Sequence, residues 1–149
     1  MKRLALFVLL SGHAGASAPA DLIQAAQVQV VAFLPQVQSY DVSEALRQVA
    51  LRGRRVTLIT TVQAVQDPKS YLLRLAHVPG VVTHLVKTTG APFVVVDGRA
   101  ALSGPGLAQQ GATTRSVRPE LLNQWAAQIM QRRPTAPVDL VKLRYLKAP

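Results

Sequence analysis

An α/β fold, with a mainly parallel sheet flanked by helices and an antiparallel hairpin at its edge, is predicted by three features of the 149-residue sequence. Short runs rich in β-branched and apolar residues alternate with segments of helical periodicity. An Asp-Gly pair joins two further short runs, the strongest local signal for a hairpin. An amphipathic stripe then follows at helical spacing near the C-terminus. Strands linked through helices pair in parallel, whereas a two-residue turn forces an antiparallel neighbour.

The elements follow in order. Residues 28–34, VQVVAFL, end at Pro35 and read as a buried strand. Asp41 stands three residues before Glu44, a capping-box spacing, and Val42, Ala45, Leu46, Val49 and Ala50 recur on one helical face until Gly53 stops it. That predicts a helix over 42–52. Residues 56–62 form a second strand. Asp67-Pro68, a cap residue followed by proline, predicts a helix opening there and running to about His77. Pro79-Gly80 turns the chain into a third strand at 81–86. Phe93 to Val96, Asp97-Gly98 and the run to Leu102 give the hairpin, which Gly104-Pro105-Gly106 breaks. Residues 109–116 are polar and read as a loop. From Pro119 onward, Leu122, Trp125, Ala126, Ile129 and Met130 share one face of a helix that Arg132-Arg133-Pro134 ends. The tail, 138–149, alternates Val141, Leu143 and Tyr145 with Lys142 and Arg144, a pattern open to an edge strand or a short helix.

The N-terminal 20 residues have another character. Lys2 and Arg3 precede an unbroken apolar run at 4–10, and a small-residue tract ends in Ala18-Pro19-Ala20 before Asp21. Cationic, apolar and small-residue regions in that order make a secretory signal, with cleavage expected after Ala20 and a periplasmic or extracellular product. Seven apolar residues are too few to span a bilayer core of about 30 Å as a helix. The remainder, 21–149, has the length of one domain. The absence of cysteine excludes disulfides, thiolate metal sites and a lipid-bearing cysteine at the cleavage point. Without the signal the chain carries 15 basic against 7 acidic side chains, a net charge of +8. That excess favours polyanionic partners, nucleic acid or anionic lipid headgroups. Counting the signal, arginines outnumber lysines 12 to 5, and guanidinium forks suit bidentate phosphate contacts. Few aromatic residues are present, which argues against a base-stacking platform.

Two segments carry a family likeness. ALRQVALRGRRVTLIT and APFVVVDGRAALSGPGL, in this element order, resemble the phospholipase D-like phosphodiesterase superfamily, in its branch of small exported bacterial endonucleases with a single repeat. The family signature is His-x-Lys, four residues, Asp, six residues, then Gly-Ser-x-Asn. Asp97 falls on the signature Asp and Gly104 on the signature Gly. The nucleophilic His position holds Gly90, the phosphate-binding Lys position Pro92, and the Ser and Asn positions Pro105 and Leu107. The resemblance implies a phospholipase D-like half domain, no cofactor, and a homodimer in which two signature segments face each other. In such a pair one His attacks phosphorus and the other protonates the leaving oxygen. Glycine offers no nucleophile and proline no cation, so the implied domain is catalytically inactive. Asp97 has a structural reading of its own, because Asp-Gly is what a type I′ turn favours.

Few other residues offer a replacement. His84 is the alternative nucleophile, but Lys87 lies three residues on, and residues three apart on a strand point to opposite faces. His77 sits at a helix C-terminus, where a partly cationic ring is stabilising. Ser103 has no visible His–Asp partners. With two histidines outside the signal, no cysteine and scattered carboxylates, no metal site is expected. Candidate polyanion-binding residues are Arg52, Arg54 and Arg55 at one turn, and Arg115 and Arg118 beside the loop that follows the signature. The sequence thus predicts an exported, inactive phospholipase D-like domain that binds a phosphate-rich polyanion. An active phosphodiesterase with a different site and a structural envelope protein are the alternatives.

Overall fold

The computed structural model describes residues 18–146. Lys2, Arg3 and the apolar run at 4–10, together with the last three residues, lie outside them. A six-stranded mixed sheet runs in the order β3-β2-β1-β4-β5-β6. β1 (Gln29–Phe33), β2 (Arg55–Thr60) and β3 (Val81–Leu85) pair in parallel. β4 (Phe93–Val96), β5 (Ala100–Ser103) and β6 (Arg115–Val117) extend the sheet antiparallel from the other side of β1. The parallel half and the hairpin are those the sequence predicts. The antiparallel half is wider, because β6, inside the expected polar loop, pairs Arg115 with Ser103 and Val117 with Ala101. Its three residues are largely exposed and carry no alternating apolar pattern.

Period-two alternation sends side chains to two cores. Val30, Ala32, Val56, Leu58, Val94 and Val96 face a core closed by α1 (Ala18–Gln24), α2 (Tyr40–Leu51), α3 (Val62–Gln66), α4 (Leu72–Ala76) and α6 (Pro137–Tyr145). Val31, Phe33, Ile59, Phe93 and Val95 face α5 (Glu120–Met130), whose Ala126 and Ile129 are buried. Trp125 stands edge-on to Phe33 and Phe93, with ring centroids 5.1 and 5.8 Å away. Both sheet faces are therefore covered within one chain.

Several boundaries differ from expectation for local reasons. The cap of α2 is Ser39, not Asp41: the Ser39 hydroxyl accepts from Val42 N–H at 3.3 Å, while the Asp41 carboxylate accepts from Gln110. The helix expected from Asp67-Pro68 to about His77 opens only at Leu72, as α4, and a separate short helix, α3, ends just before the pair. Thr61 caps α3 through Ala64 N–H, and Asp67 ends it, taking Lys69 N–H at 2.9 Å and the Gln38 amide at 2.6 Å. The tail is helical: Pro137 sits in the first turn of α6, and Leu140 drops fully into the core. Ala18, Pro19 and Ala20 form the start of α1, whose Ile23 is also fully buried.

Asp97 ties the two halves of the sheet together. It and Gly98 both have positive φ, 55° and 68°, as a type I′ turn requires, and Arg99 N–H donates to the Val96 carbonyl. The carboxylate accepts from three successive backbone donors entering β1: Gln27 at 2.9 Å, Val28 at 2.8 Å and Gln29 at 3.0 Å. Burial works to raise its pKa, but those three N–H groups, helped by Arg99, outweigh it and hold the carboxyl below its ordinary value. Asp97→Ala should cost about 2 kcal/mol, since hydrogen bonds to a charged acceptor contribute about 1.5–3 kcal/mol and solvent can replace part of them here. Asp97→Asn, which keeps the turn preference but not the charge, should lose less. Urea denaturation of the variants checks both, and an unchanged midpoint for Asp97→Ala would refute the clamp.

Candidate functional site

The parallel strands end at Phe33, Thr60 and Leu85, and ligands of open α/β sheets bind beyond such carboxyl ends. A cleft of ≈ 620 Å³ lies there, bounded by the segments that follow β1 and β2, the segment joining β3 to β4, and the segment that follows β5. Gly90, Pro92 and Pro105 are among its lining residues. Gly104 N–H and the Ser103 hydroxyl both donate to the Pro92 carbonyl, at 3.1 and 2.9 Å, so the chain binds its signature positions together at one corner. Asp97, beyond the far end of β4, is about 16 Å of strand from Pro92 at about 3.3 Å per residue. It belongs to the clamp rather than the cleft.

The lining explains what this corner can do. Gln36, Gln63, Gln109, Thr61, Thr89 and Asp67 supply its polar groups, and it contains no Lys, Arg or His. Gln109 donates to Gln36 at 3.1 Å. The Gln38 amide, then the Lys69 N–H, hold the Asp67 carboxyl below its usual range, so the formal charge here is negative. A phosphodiester entering would meet a carboxylate and amides, with neither a nucleophilic nitrogen nor a cation. Sequence reasoning missed these cleft residues, although the positions just after parallel strands were a usable signal.

Beside it, and sharing Pro105, is a smaller cleft of ≈ 280 Å³ lined by Ala91, Ser103, Gly104, Thr113, Thr114 and Arg115. Gly104, at φ 132°, and Gly106 allow the 113–114 strand of chain to pass close. A Cβ on Gly104 would lie 2.7 Å from the Thr113 carbonyl oxygen, and one on Gly106 would overlap that of Ala112. Arg115 is exposed and stands on the Ser103 end of β6, whereas Arg118 lies beyond the strand and outside this cleft. Arg52, Arg54 and Arg55 are at the opposite end of the sheet, where β2 begins. The two basic clusters are therefore not brought together.

His84 does not join either cleft. It is buried on the α5 side of the edge strand β3, 4 % exposed, with Nδ1 lacking a hydrogen-bond partner, and Lys87 is exposed past the strand end. Burial, then the neighbouring Arg132 charge, pushes its pKa below the ordinary value. His77 accepts its helix-end role, its Nδ1 2.6 Å from the Leu73 carbonyl oxygen.

A His84 pKa depressed on folding gives a definite sign. The unfolded chain takes up the proton at about pH 6.5 while the native state resists, so stability is complete above that value and falls on acidification toward the native pKa. Glu44, held at about 2 by Arg47 and then Gln48, and the similarly lowered Asp67 and Asp97 act only at lower pH. Thermal melts between pH 7 and pH 5 should show a fall that His84→Gln removes. A fall of the same size in the variant would locate the sensitivity elsewhere.

This architecture defines the chain as an α/β domain of phospholipase D-like fold. Among solved structures, a phospholipase D family member, Nuc from Salmonella typhimurium, matches with a TM-score of 0.63 at 15% identity, over 81% of this chain and 92% of that one. NucT from Helicobacter pylori matches with a TM-score of 0.62 at 14% identity, over 76% and 84% of the two chains. TrmBL2, an archaeal chromatin protein whose structure shows a mode of DNA binding, matches with a TM-score of 0.51 at 9% identity, over 75% of this chain and 45% of its own. No protein-family model and no curated protein matches the sequence. Among the described residues, no helix is long and apolar enough to cross a membrane.

Proposed function

We propose that this protein is an exported, catalytically silent member of the phospholipase D-like superfamily that binds a phosphate-rich polyanion such as nucleic acid. One observation carries the reading: the cleft at the signature corner is without a cation or nucleophile, while Arg115, with Thr113 and Thr114, lines the cleft beside it. Guanidinium and hydroxyl donors next to a glycine corner suit phosphate oxygens. Arg118 extends the positive charge along the same edge. The resemblance adds a homodimer that sets two such corners face to face, although α5 already covers the sheet face that would otherwise have required a partner. Binding of duplex DNA by the signal-free protein, measured against salt, tests the reading, and no binding at 50 mM salt would leave the structural envelope role in its place.

Export rests on the N-terminal pattern of charge, apolar run and small residues. Cleavage after Ala20 shortens α1 but keeps Ile23, its core anchor. N-terminal sequencing of protein recovered from outside the cytoplasm should begin at Asp21; an intact Met1 would end this part of the proposal.

A further inference from the structure

At the end of the sheet away from the signature corner, a cleft of ≈ 660 Å³ opens where β1, β2 and β3 begin. Its walls are Val28, Ala50, Leu51, Pro79 and Val82, and its polar groups are Gln29, Arg54 and Arg55. Val28, Leu51 and Val82 are 66 %, 54 % and 37 % exposed, so three of the large apolar side chains this protein leaves in water converge on one concavity. Gly53 and Gly80 also line the cleft and place no side chain in it. The volume and the apolar lining with a few polar groups are those of small-molecule sites, about 300–1,000 Å³.

One of the three arginines here is already committed within the protein. The Arg52 guanidinium is engaged with Gln24, Nη1 donating to the side-chain oxygen at 2.8 Å and Nη2 to the carbonyl at 2.7 Å. Arg54 donates through Nη1 to the Arg52 carbonyl at 3.3 Å, while its buried Nε has no partner. Arg55 is exposed, and its side chain has neither hydrogen bond nor ion pair among the described residues. Two guanidinium groups with unused donors thus border an apolar hollow that contains no carboxylate.

We infer that this cleft binds a single-chain amphiphilic acid, its tail against Val28, Leu51 and Val82 and its carboxylate between Arg54 and Arg55. The charge fixes the sign of the ligand, and the exposed apolar walls require a tail that a nucleic-acid backbone does not have. A second copy of the chain would bring its own positive charge to the same rim. The site is independent of the polyanion reading, since it lies at the other end of the strands.

Methyl chemical shifts of the signal-free protein, titrated with sodium decanoate below its micelle concentration, test the inference. Saturable shifts are expected at Val28, Leu51 and Val82, with affinity at least tenfold weaker for decyl glucoside, whose head is neutral. Arg55→Gln, an exposed change that leaves the core untouched, should weaken decanoate several-fold, and Arg54→Gln combined with it at least tenfold. Leu51→Ser should weaken it with the arginines intact, and Arg115→Glu should leave it unchanged. Equal affinity for the neutral amphiphile would overturn the inference, as would failure to saturate. So would inorganic phosphate or duplex DNA moving the same methyls as strongly, or shifts that track protein concentration without ligand, the mark of a second copy.

Discussion

Incubated with plasmid DNA, RNA or a chromogenic phosphodiester, the signal-free protein is expected to show no turnover above background, and His84→Ala is expected to change nothing. A positioned acid or base contributes about 10²–10⁴-fold, and the covalent route vanishes altogether without its nucleophile. Neither function can pass to His84, which is buried on the α5 side of β3 with its Nδ1 unpartnered. Turnover that His84→Ala abolished would overturn the inactive reading. The backbone at positions 90 and 92, by contrast, has room for larger side chains. A Cβ at Gly90 would meet only the edge of the Phe33 ring, at 3.8 Å, and Pro92 holds its corner through its carbonyl rather than its side chain. The double substitution Gly90→His with Pro92→Lys should therefore fold and raise phosphodiester turnover above background. If two copies must supply one His each, the rate should climb faster than linearly with protein concentration. A folded, dimer-forming variant with no gain would mean that the cleft's Asp67 and amide lining, not the two missing side chains alone, bars the chemistry.

What the sequence made legible follows from how local each cause is. The strands could be read because their apolar runs are self-contained, and the hairpin because Asp97 and Gly98 supply two left-handed residues in succession. The stripe of α5 was legible for the same reason. The break between α3 and α4 was not, because Asp67 is turned from helix start to helix end by Gln38, 29 residues away, in addition to its own local bond to Lys69 N–H. β6 has no apolar alternation and exists because Ser103 and Ala101 offer it an open edge. α6 was ambiguous because few of its residues are buried; Leu140 alone reaches full burial. For the site, the signature spacing placed Gly90, Pro92 and Gly104 at one corner, and the structure brings them together. The clamp role of Asp97 depends on donors some 70 residues away, and the charge of the cleft on Asp67, which lies outside the signature segment, so neither was visible in the motif.

Duplex DNA should bind the signal-free protein weakly, without sequence preference and with steep salt dependence. If some four phosphates are neutralised, log K should fall against log salt with a slope of about −3 to −4, roughly a 10²-fold loss between 50 and 200 mM. Affinity near physiological salt should be on the order of 10⁻⁴–10⁻⁶ M, the range of non-specific binding. Charge reversal separates the two basic clusters because they lie at opposite ends of the sheet. Arg115→Glu with Arg118→Glu should cost the more, lowering the slope by about one for each phosphate contact removed. Both side chains are exposed, and Arg115 shares its cleft with three hydroxyl-bearing residues and no carboxylate. Arg52→Glu with Arg54→Glu and Arg55→Glu reverses one more charge, yet Arg52 is already held by Gln24 and the other two border an apolar cleft. A purely diffuse field would make the triple reversal the costlier, in proportion to its charge. Fluorescence anisotropy with a labelled duplex at several salt concentrations decides between them. A larger loss from the triple variant, or equal losses from both, would mean that DNA responds to the overall charge and that the signature corner has kept no phosphate-binding role.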